Sequence, residues 1–396
     1  MSSARRIVLA RALRGFADGL VSVLLAEYLT RLGFTPFAVG AIVTGTLVGS
    51  AALTIAIGLA GRRLPRRPVL LGAAALMLAT GLGFALATGF WPLFLVAVVG
   101  TLNPSAGDVS VFLPIEQAAL AQTTSGHDRT RLFAWYNVGG NFMGALGSLA
   151  SALPAVLARA SDVDLLAAER GGFLLYALVA VVIAGVYLRL GAEVETHGSA
   201  PAAPLARSRR VVVQLATLFS LDAFGGGFVV QSLLVLWLYQ RFALSMTVAG
   251  AVFFGAGLLS GASQLLSPIL AARVGLVRTM VYTHLPANLL LVAAGLAPNL
   301  RLAVACLLAR AALSQMDVPA RQAYVMAVVP PEERAAAASV TNVPRSLASA
   351  LPPLFAGAML AHSAVGWPLV CGGVLKALYD VLLLARFRAV PALDVA

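Results

Sequence analysis

The chain of 396 residues has few cysteines, histidines and charged residues, and each shortage excludes a class of protein. Its two cysteines, Cys306 and Cys371, cannot build a disulfide framework. Its four histidines are scattered, so they offer no metal-ligand spacing, and we expect neither a metal nor a cofactor. No glycine-rich phosphate loop with a lysine is present, which excludes ATP-driven transport. No serine or paired aspartates stand in the motif context of a hydrolase, so we do not expect an enzyme.

What the chain has in abundance is apolar sequence. Hydrophobic residues make up 60% of it, charged residues only 11%, and the mean hydropathy is +0.90. These values lie outside the usual ranges of soluble domains, so we expect a membrane protein. Long apolar runs without alternation at period two favour helices, whose backbone amides are satisfied internally. The sequence therefore predicts an all-α membrane protein.

Breaks at charged or Pro/Gly-rich positions divide the chain into twelve segments, each long enough to cross a bilayer. Numbered as spans 1 to 12, they cover 7–30, 38–60, 68–89, 91–121, 131–158, 171–190, 211–240, 246–272, 277–297, 301–329, 335–361 and 366–388. The polar stretch 191–210 between spans 6 and 7 reads as a linker. We therefore expect one six-helix bundle at 1–190, a cytoplasmic linker at 191–210 and a second bundle at 211–396.

The two halves repeat one another. Five landmarks keep a single offset of 205 residues, the difference between Pro319 and Pro114. The matched pairs are Pro114 and Pro319, Gln117 and Gln322, Ala118 and Ala323, Arg129 and Arg334, and Asn137 and Asn342. Such agreement predicts two homologous bundles, an arrangement common in transporters that hold substrate between their repeats. The same offset sets Glu116 against Arg321, two opposite charges at equivalent positions.

Twelve helices in two halves, a polar central linker and a short basic loop between spans 2 and 3 resemble the major facilitator superfamily over the whole chain. The most specific fragment is that loop, 58–67, which is similar to the superfamily signature of a glycine, an aspartate and a second glycine followed by basic residues. It departs from the signature at two positions: Arg62 stands where the aspartate is expected, and Pro65 where the second glycine is expected. The resemblance implies a fold of twelve transmembrane helices in two pseudo-symmetric six-helix bundles. It also implies alternating access around a cavity lined by spans 1, 4, 7 and 10.

Most arginines fall in the loops on the side that holds both termini. By the positive-inside rule both termini are cytoplasmic, and we expect a monomer in a bacterial inner membrane. The same distribution explains most of the net charge of +12. Because the arginines are dispersed over short loops, we do not expect nucleic-acid binding. Small-residue spacings, such as Gly15 with Gly19 and Gly140 with Gly144, predict close helix packing.

Ionisable side chains inside the spans carry the functional evidence. An ionised group costs from about 2.5 to more than 10 kcal/mol at the bilayer centre, so each needs a partner, a cavity or a role. Spans 1, 4, 7 and 10 all carry carboxylates, which we take as proton-coupling candidates: Asp18, Asp108, Asp222 and Asp317. Candidates for substrate binding are Arg310, Arg345, Asn137 and Asn342. Gating candidates are Glu116, Arg321, Arg129 and Arg334.

Each candidate has a structural alternative. Asp18 would carry a proton, or would form a fixed ion pair with Arg14 or Arg11. Glu116 and Arg321 would lock the two halves together, or each would pair within its own half. In that second case Glu116 would bind Arg129 or Arg131, and Arg321 would bind Asp317. Asp108 lies on a helix that Pro104 and Pro114 would break or merely kink. Arg310 and Arg345 would hold a substrate anion, or would neutralise Asp222 or Asp317. Lys376 and Asp380 are expected to pair at i, i+4, and His284 to be a core residue rather than a proton relay.

The sequence thus predicts a secondary transporter that moves a small organic solute by alternating access, with protons as the coupling ion and lipid around it. One hypothesis is proton-driven efflux of amphipathic or drug-like compounds by an antiporter. Another is proton-coupled transport of an anionic or zwitterionic metabolite. A third, from another class, is a non-transporting membrane receptor or scaffold, for which a sizeable soluble domain would be expected.

Overall fold

A computed structural model describes residues 2–60, 64–105, 110–123, 127–195 and 205–387. Within these ranges the chain is helical and contains no strand. The helices are α1 (Ser3–Arg31), α2 (Pro36–Ala60), α3 (Arg66–Leu86), α4 (Phe90–Val99), α5 (Phe112–Thr123), α6 (His127–Ala150), α7 (Leu153–Ser161), α8 (Leu165–Leu188), α9 (Arg209–Gly227), α10 (Gln231–Phe242), α11 (Met246–Val274), α12 (Leu276–Gly295), α13 (Leu300–Ser314), α14 (Asp317–Ala327), α15 (Arg334–Ala350), α16 (Pro352–His362) and α17 (Trp367–Phe387). Arg62 and Asp108 lie outside the described residues.

These helices confirm the twelve predicted segments. Spans 1, 2, 3, 6, 8, 9 and 12 are single helices, namely α1, α2, α3, α8, α11, α12 and α17. Spans 4, 5, 7, 10 and 11 are pairs of consecutive helices, namely α4 with α5, α6 with α7, α9 with α10, α13 with α14, and α15 with α16. Nine helical segments of the described residues are long and apolar enough to cross a membrane by themselves. Spans 1, 4 and 11 fall short of that measure, and spans 1 and 11 carry charged residues within their helices.

Proline and glycine account for the broken spans. Pro154 lies at the start of α7, Pro319 in the first turn of α14, and Pro352 begins α16. Proline lacks an amide hydrogen and has a fixed φ, so it ends the preceding helix and suits the first turn of the next. At the end of α9 the chain instead has Gly225–Gly227, and α10 begins at Gln231.

The chain divides into two compact units. The first comprises Met1–Ser199 and Val230–Gly257, and the second comprises Ala200–Val229 and Leu258–Ala396. The first unit therefore holds α10 and the beginning of α11 in addition to the six N-terminal spans. The division expected from sequence, with bundles at 1–190 and 211–396, stays a prediction for the homologous halves.

In the first unit α1 packs closely along α6. A Cβ atom on Gly15 or Gly19 would collide with the backbone carbonyl of Gly140 or Gly144, so only glycine permits the observed approach. Lipid supplies no hydrophobic force between helices, and close van der Waals contact between small residues takes its place. The predicted small-residue packing is confirmed for this helix pair.

In the second unit α12 and α17 pack against one another, and α9 packs against α15 and α17. Their apolar core includes Leu215, Phe219, Met280 and Tyr379. A Cβ atom on Gly225 would contact the side chain of Lys376, so glycine here leaves room for a charged side chain that enters the core from α17.

The start of α9 is held by a carboxylate from the turn before α15. The carboxylate of Glu333 accepts hydrogen bonds from the hydroxyl of Ser208 and from the backbone N–H groups of residues 206–208. These donors, the Ser208 hydroxyl first, lower the pKa of Glu333 from 4.5 to about 2. A negative charge thus lies beside the N-terminus of α9, where the helix dipole favours one.

Candidate functional site

A buried ion pair joins span 1 to span 4 in the first unit. Arg14 on α1 binds both carboxylate oxygens of Glu116 on α5, with N–O distances of 2.9 and 2.7 Å. The hydroxyls of Tyr136 and Tyr187 each donate to the same carboxylate at 2.6 Å. Glu116 is 0% exposed, so its charge is met entirely by protein. The guanidinium of Arg14 also lies over the ring of Phe112, 4.6 Å from its centroid.

This pairing differs from the partners named by the sequence. We expected Glu116 to meet Arg321 or the arginines at the start of span 5, but its described partner is Arg14, 102 residues away. The side chain of Arg129 is not among those described. Arg334 donates its Nε to the carbonyl of Met326 at 3.0 Å. A gating role for these residues stays a prediction.

Asp18 lies one turn further along α1 and is 4% exposed. Its carboxylate is hydrogen-bonded by Asn103 and feels the charges of Arg14 and Arg11. None of the described ion pairs includes Asp18, because both terminal nitrogens of Arg14 bind Glu116. Arg11 is 5% exposed and lies over the ring of Tyr136, and its buried Nε has no hydrogen-bond partner within the ranges that the structure describes. The described residues thus show no salt bridge between Asp18 and Arg14 or Arg11, and the proton-carrying role of Asp18 stays a prediction.

The second unit contains a larger charged network centred on Asp222 of α9. Its carboxylate meets Lys376 of α17 at 2.5 Å and Arg321 of α14 at 3.1 Å. Arg321 also lies 3.5 Å from Asp317, its neighbour at i minus 4. All four side chains are less than 10% exposed. Two carboxylates and two cations thus balance one another in the interior.

The sequence anticipated part of this network. Pairing of Arg321 with Asp317 inside its own half is confirmed, whereas pairing of Lys376 with Asp380 is wrong. Lys376 instead reaches Asp222, which lies 154 residues away. Space left by Gly225 admits the lysine stem toward α9.

Asp380 is partnered by span 9. His284 Nδ1 lies 2.9 Å from Asp380 Oδ1, and Asn288 donates to Oδ2 at 2.8 Å. The other ring nitrogen of His284 lies 3.7 Å from Asp222 Oδ1, close enough for charge but too far for a hydrogen bond. His284 is therefore a buried, bonded residue, as expected, yet it stands between two carboxylates.

The remaining candidates are less buried. Arg310 is partly exposed, its Nε is buried with no hydrogen-bond partner among the described residues, and its charge acts on Asp222 and Asp317. Arg345 is also partly exposed, whereas Asn137 and Asn342 are exposed. Sequence reasoning missed three neutral partners of these charges, Asn103, Tyr136 and Tyr187, since polar residues within apolar spans carry no spacing that names their contacts.

Within the described ranges, no group of three or more histidine, cysteine, aspartate or glutamate side chains is placed to hold a metal ion. The charged side chains described above are joined by ion pairs and hydrogen bonds. Such groups bind and release protons and charged or polar solutes.

Comparison with known proteins identifies the family. The sequence profile of the Major Facilitator Superfamily matches residues 7–308. The chain belongs to this superfamily. It is therefore an integral membrane protein with the twelve-helix, two-bundle fold of these transporters, and it acts on a small-molecule substrate. Members of the family are generally not enzymes.

Individual relatives are distant. An "uncharacterized membrane protein YJR124C" of Saccharomyces cerevisiae is 24% identical over 96% of this chain and 93% of its own. The solved D-xylose-proton symporter has a TM-score of 0.75 at 16% identity, covering 99% of both chains. The human organic anion transporter MFSD10 has a TM-score of 0.61 at 18% identity, covering 97% of this chain and all of its own. At these identities the solved structures show the fold alone.

Proposed function

We propose that this transporter moves a small organic solute bearing an anionic or zwitterionic group, by alternating access, in exchange for or together with protons. The observation that carries the proposal is the salt bridge between Arg14 and Glu116, because within the described residues it leaves the buried carboxylate of Asp18 outside any salt bridge. We further propose that it works as a monomer in a bacterial inner membrane with both termini in the cytoplasm, and that it has no enzymatic activity.

Asp18 is the carboxylate best suited to exchange a proton. Removal from water favours the protonated form of a carboxylate, whereas a cation at hydrogen-bond distance favours the ionised form. Asp222 is held by Lys376 at 2.5 Å and Arg321 at 3.1 Å, so in this conformation two cations compensate its charge. Among the described residues, Asp18 is hydrogen-bonded by the amide of Asn103 and interacts electrostatically with Arg14 and Arg11, without a salt bridge to either. A shift of Arg11 or Arg14 toward Asp18 would expel the proton, which is the alternation that coupling requires.

Two buried arginine nitrogens support the anionic group. In the part of the chain that the structure describes, the Nε atoms of Arg310 and Arg11 are buried and have no hydrogen-bond partner. An arginine keeps its charge and offers a planar fork of donors that matches a carboxylate or phosphate. Arg310 is also partly exposed, so an anion has access to it. One relative is named as an organic anion transporter and another as a proton symporter, and both activities agree with the proposal.

The first experiment measures coupling in proteoliposomes. Asp18→Asn should abolish solute accumulation driven by a pH gradient, reducing it at least tenfold, while solute exchange at equal pH continues. Exchange needs the binding site and the conformational change but no net proton movement. Glu27→Gln, which alters a partly exposed pair with Arg31, is the matched control and should transport normally. Accumulation by Asp18→Asn at the normal level would refute the proton role of Asp18.

The second experiment identifies the solute class. Purified protein is tested for counterflow of organic anions, zwitterions and cationic dyes, with Arg310→Gln and Arg310→Lys alongside. Anion exchange should fall with glutamine and partly recover with lysine. If cationic dyes move under a pH gradient and anions do not, the proposal fails and efflux of amphipathic or drug-like compounds takes its place. No movement of any solute would favour a receptor or scaffold.

A further inference from the structure

We propose that His284 and Asp380 form a second proton site next to Asp222. Proton binding at this site would change the contact between Asp222 and His284 of α12. The geometry that points to it is an imidazole bonded to one buried carboxylate and facing another. This inference rests on the proposed proton coupling, but concerns different residues and a different unit from Asp18.

The first step is the local charge balance. Asp222 and Asp317 are matched by Arg321 and Lys376, two negative charges by two positive ones. Asp380, which is 0% exposed, is left with His284 and Asn288 as its described partners at bonding distance. An ionised carboxylate buried with neutral donors alone is costly. One proton shared between Asp380 and His284 removes that cost, either as an imidazolium facing a carboxylate or as a neutral pair.

The second step concerns the far side of the ring. An ionised Asp380 can only accept, so the Nδ1 of His284 donates to it. In the neutral ring Nε2 then carries a lone pair, and this nitrogen lies 3.7 Å from Oδ1 of Asp222. In the protonated ring Nε2 carries a hydrogen. Proton uptake therefore converts the contact between His284 and Asp222 from repulsion into attraction.

The third step is the position of Asp222. Asp222 lies near the C-terminus of α9, three residues before Gly225, and α9 ends at Gly227. Its Oδ1 is the same atom that Lys376 holds, so a protonated His284 would compete with the lysine for that oxygen. Closing the gap from 3.7 Å to a hydrogen bond of about 2.9 Å would draw α9 toward α12. The proton would thus act on the end of α9.

Charged and titratable groups come from every helix around His284. They are Asp380, Lys376 and Tyr379 of α17, Asp222 of α9, Asp317 and Arg321 of α14, and Arg310 of α13. Because Arg310 adds a positive charge near Asp222, an anion bound to it would favour proton uptake by the pair. By linkage, the proton would favour the anion equally.

The test observes the imidazole directly by NMR. Full-length protein labelled at histidine Cε1 is prepared with His127, His197 and His362 changed to asparagine, leaving His284 as the sole histidine. Its resonance is recorded from about pH 5 to pH 8, and we expect its chemical shift to change as the ring takes up a proton. Asp380→Asn should displace that titration, because the ring loses its counter-charge. A resonance that does not change over this range would overturn the proposal.

A functional measurement gives a second decision. The ratio of solute affinities at the two ends of the pH range should fall at least threefold in His284→Gln. It should stay unchanged in His362→Gln, which alters an exposed histidine. An unchanged pH profile for His284→Gln would also overturn the proposal, even if the ring titrates. Failure of the wild-type protein to respond to a pH gradient would instead remove the proposed coupling, while the titration would still report on the pair.

Discussion

Replacement of Glu116 by glutamine tests the buried pair of the first unit. The change keeps the size of the side chain but removes the charge that faces Arg14. Because Arg14 is 2% exposed at its side chain and Glu116 0%, water cannot replace the lost partner. Removing one member of a buried ion pair costs about 3–5 kcal/mol. The two tyrosine hydroxyls that donate to Glu116 would also lose an ionised acceptor.

The expected readout is thermal unfolding of purified protein in detergent. For a domain of 150–250 residues, each kcal/mol lowers Tm by about 2–4 °C, so Glu116→Gln should lower it by about 6–20 °C. Glu27→Gln is the matched control. Its partner Arg31 is 33% exposed, and such pairs contribute up to about 1 kcal/mol.

A double variant separates charge from packing. If Arg14 is replaced by methionine and Glu116 by glutamine, neither position carries a buried charge that has lost its partner. Its Tm should therefore exceed that of Glu116→Gln alone, although the interaction itself is lost. A Tm for Glu116→Gln within 2 °C of the wild type would refute the assigned pairing. So would a double variant that is less stable than both single ones.

Two further predictions concern helix packing and pH. Gly19→Ala should separate α1 from α6 and lower the Tm by several degrees, whereas Gly139→Ala, where an added Cβ meets nothing within 4 Å, should leave it unchanged; equal effects would contradict the packing. Glu333→Gln should speed amide hydrogen exchange at residues 206–208 at pH 7. Since the pKa of Glu333 is lowered from 4.5 to about 2, its contribution to stability is present above about pH 4.5 and is lost as pH falls toward 2. The Tm difference from wild type should therefore narrow over that interval, and a constant difference would contradict the sign.

The spans could be predicted because their signals are local. Apolar runs of sufficient length mark helices, and prolines such as Pro154 and Pro319 mark where they break. The family resemblance followed from features spread along the chain, namely twelve spans, a repeat and a basic loop. None of these depends on knowing which helix faces which.

The partners of the buried charges could not be predicted in the same way. Sequence spacing identifies pairs on one helix, and for Arg321 and Asp317 it succeeded. For Lys376 the same rule named Asp380, but the longer-range contact with Asp222 prevails because Gly225 opens a path to it. A spacing rule sees the neighbours on a helix and not the competitors on other helices.

The two halves nevertheless use one design with the charges exchanged. In the first unit Arg14 of span 1 binds Glu116 of span 4, and in the second Asp222 of span 7 binds Arg321 of span 10. The offsets are 205 residues for 116 and 321, and 208 for 14 and 222, a difference of less than one helical turn. Each half thus has a salt bridge between its first and fourth spans, although the acidic and basic residues have exchanged places. What both halves share is the compensation of charge across that helix pair, since either residue alone would leave a buried ion without a partner.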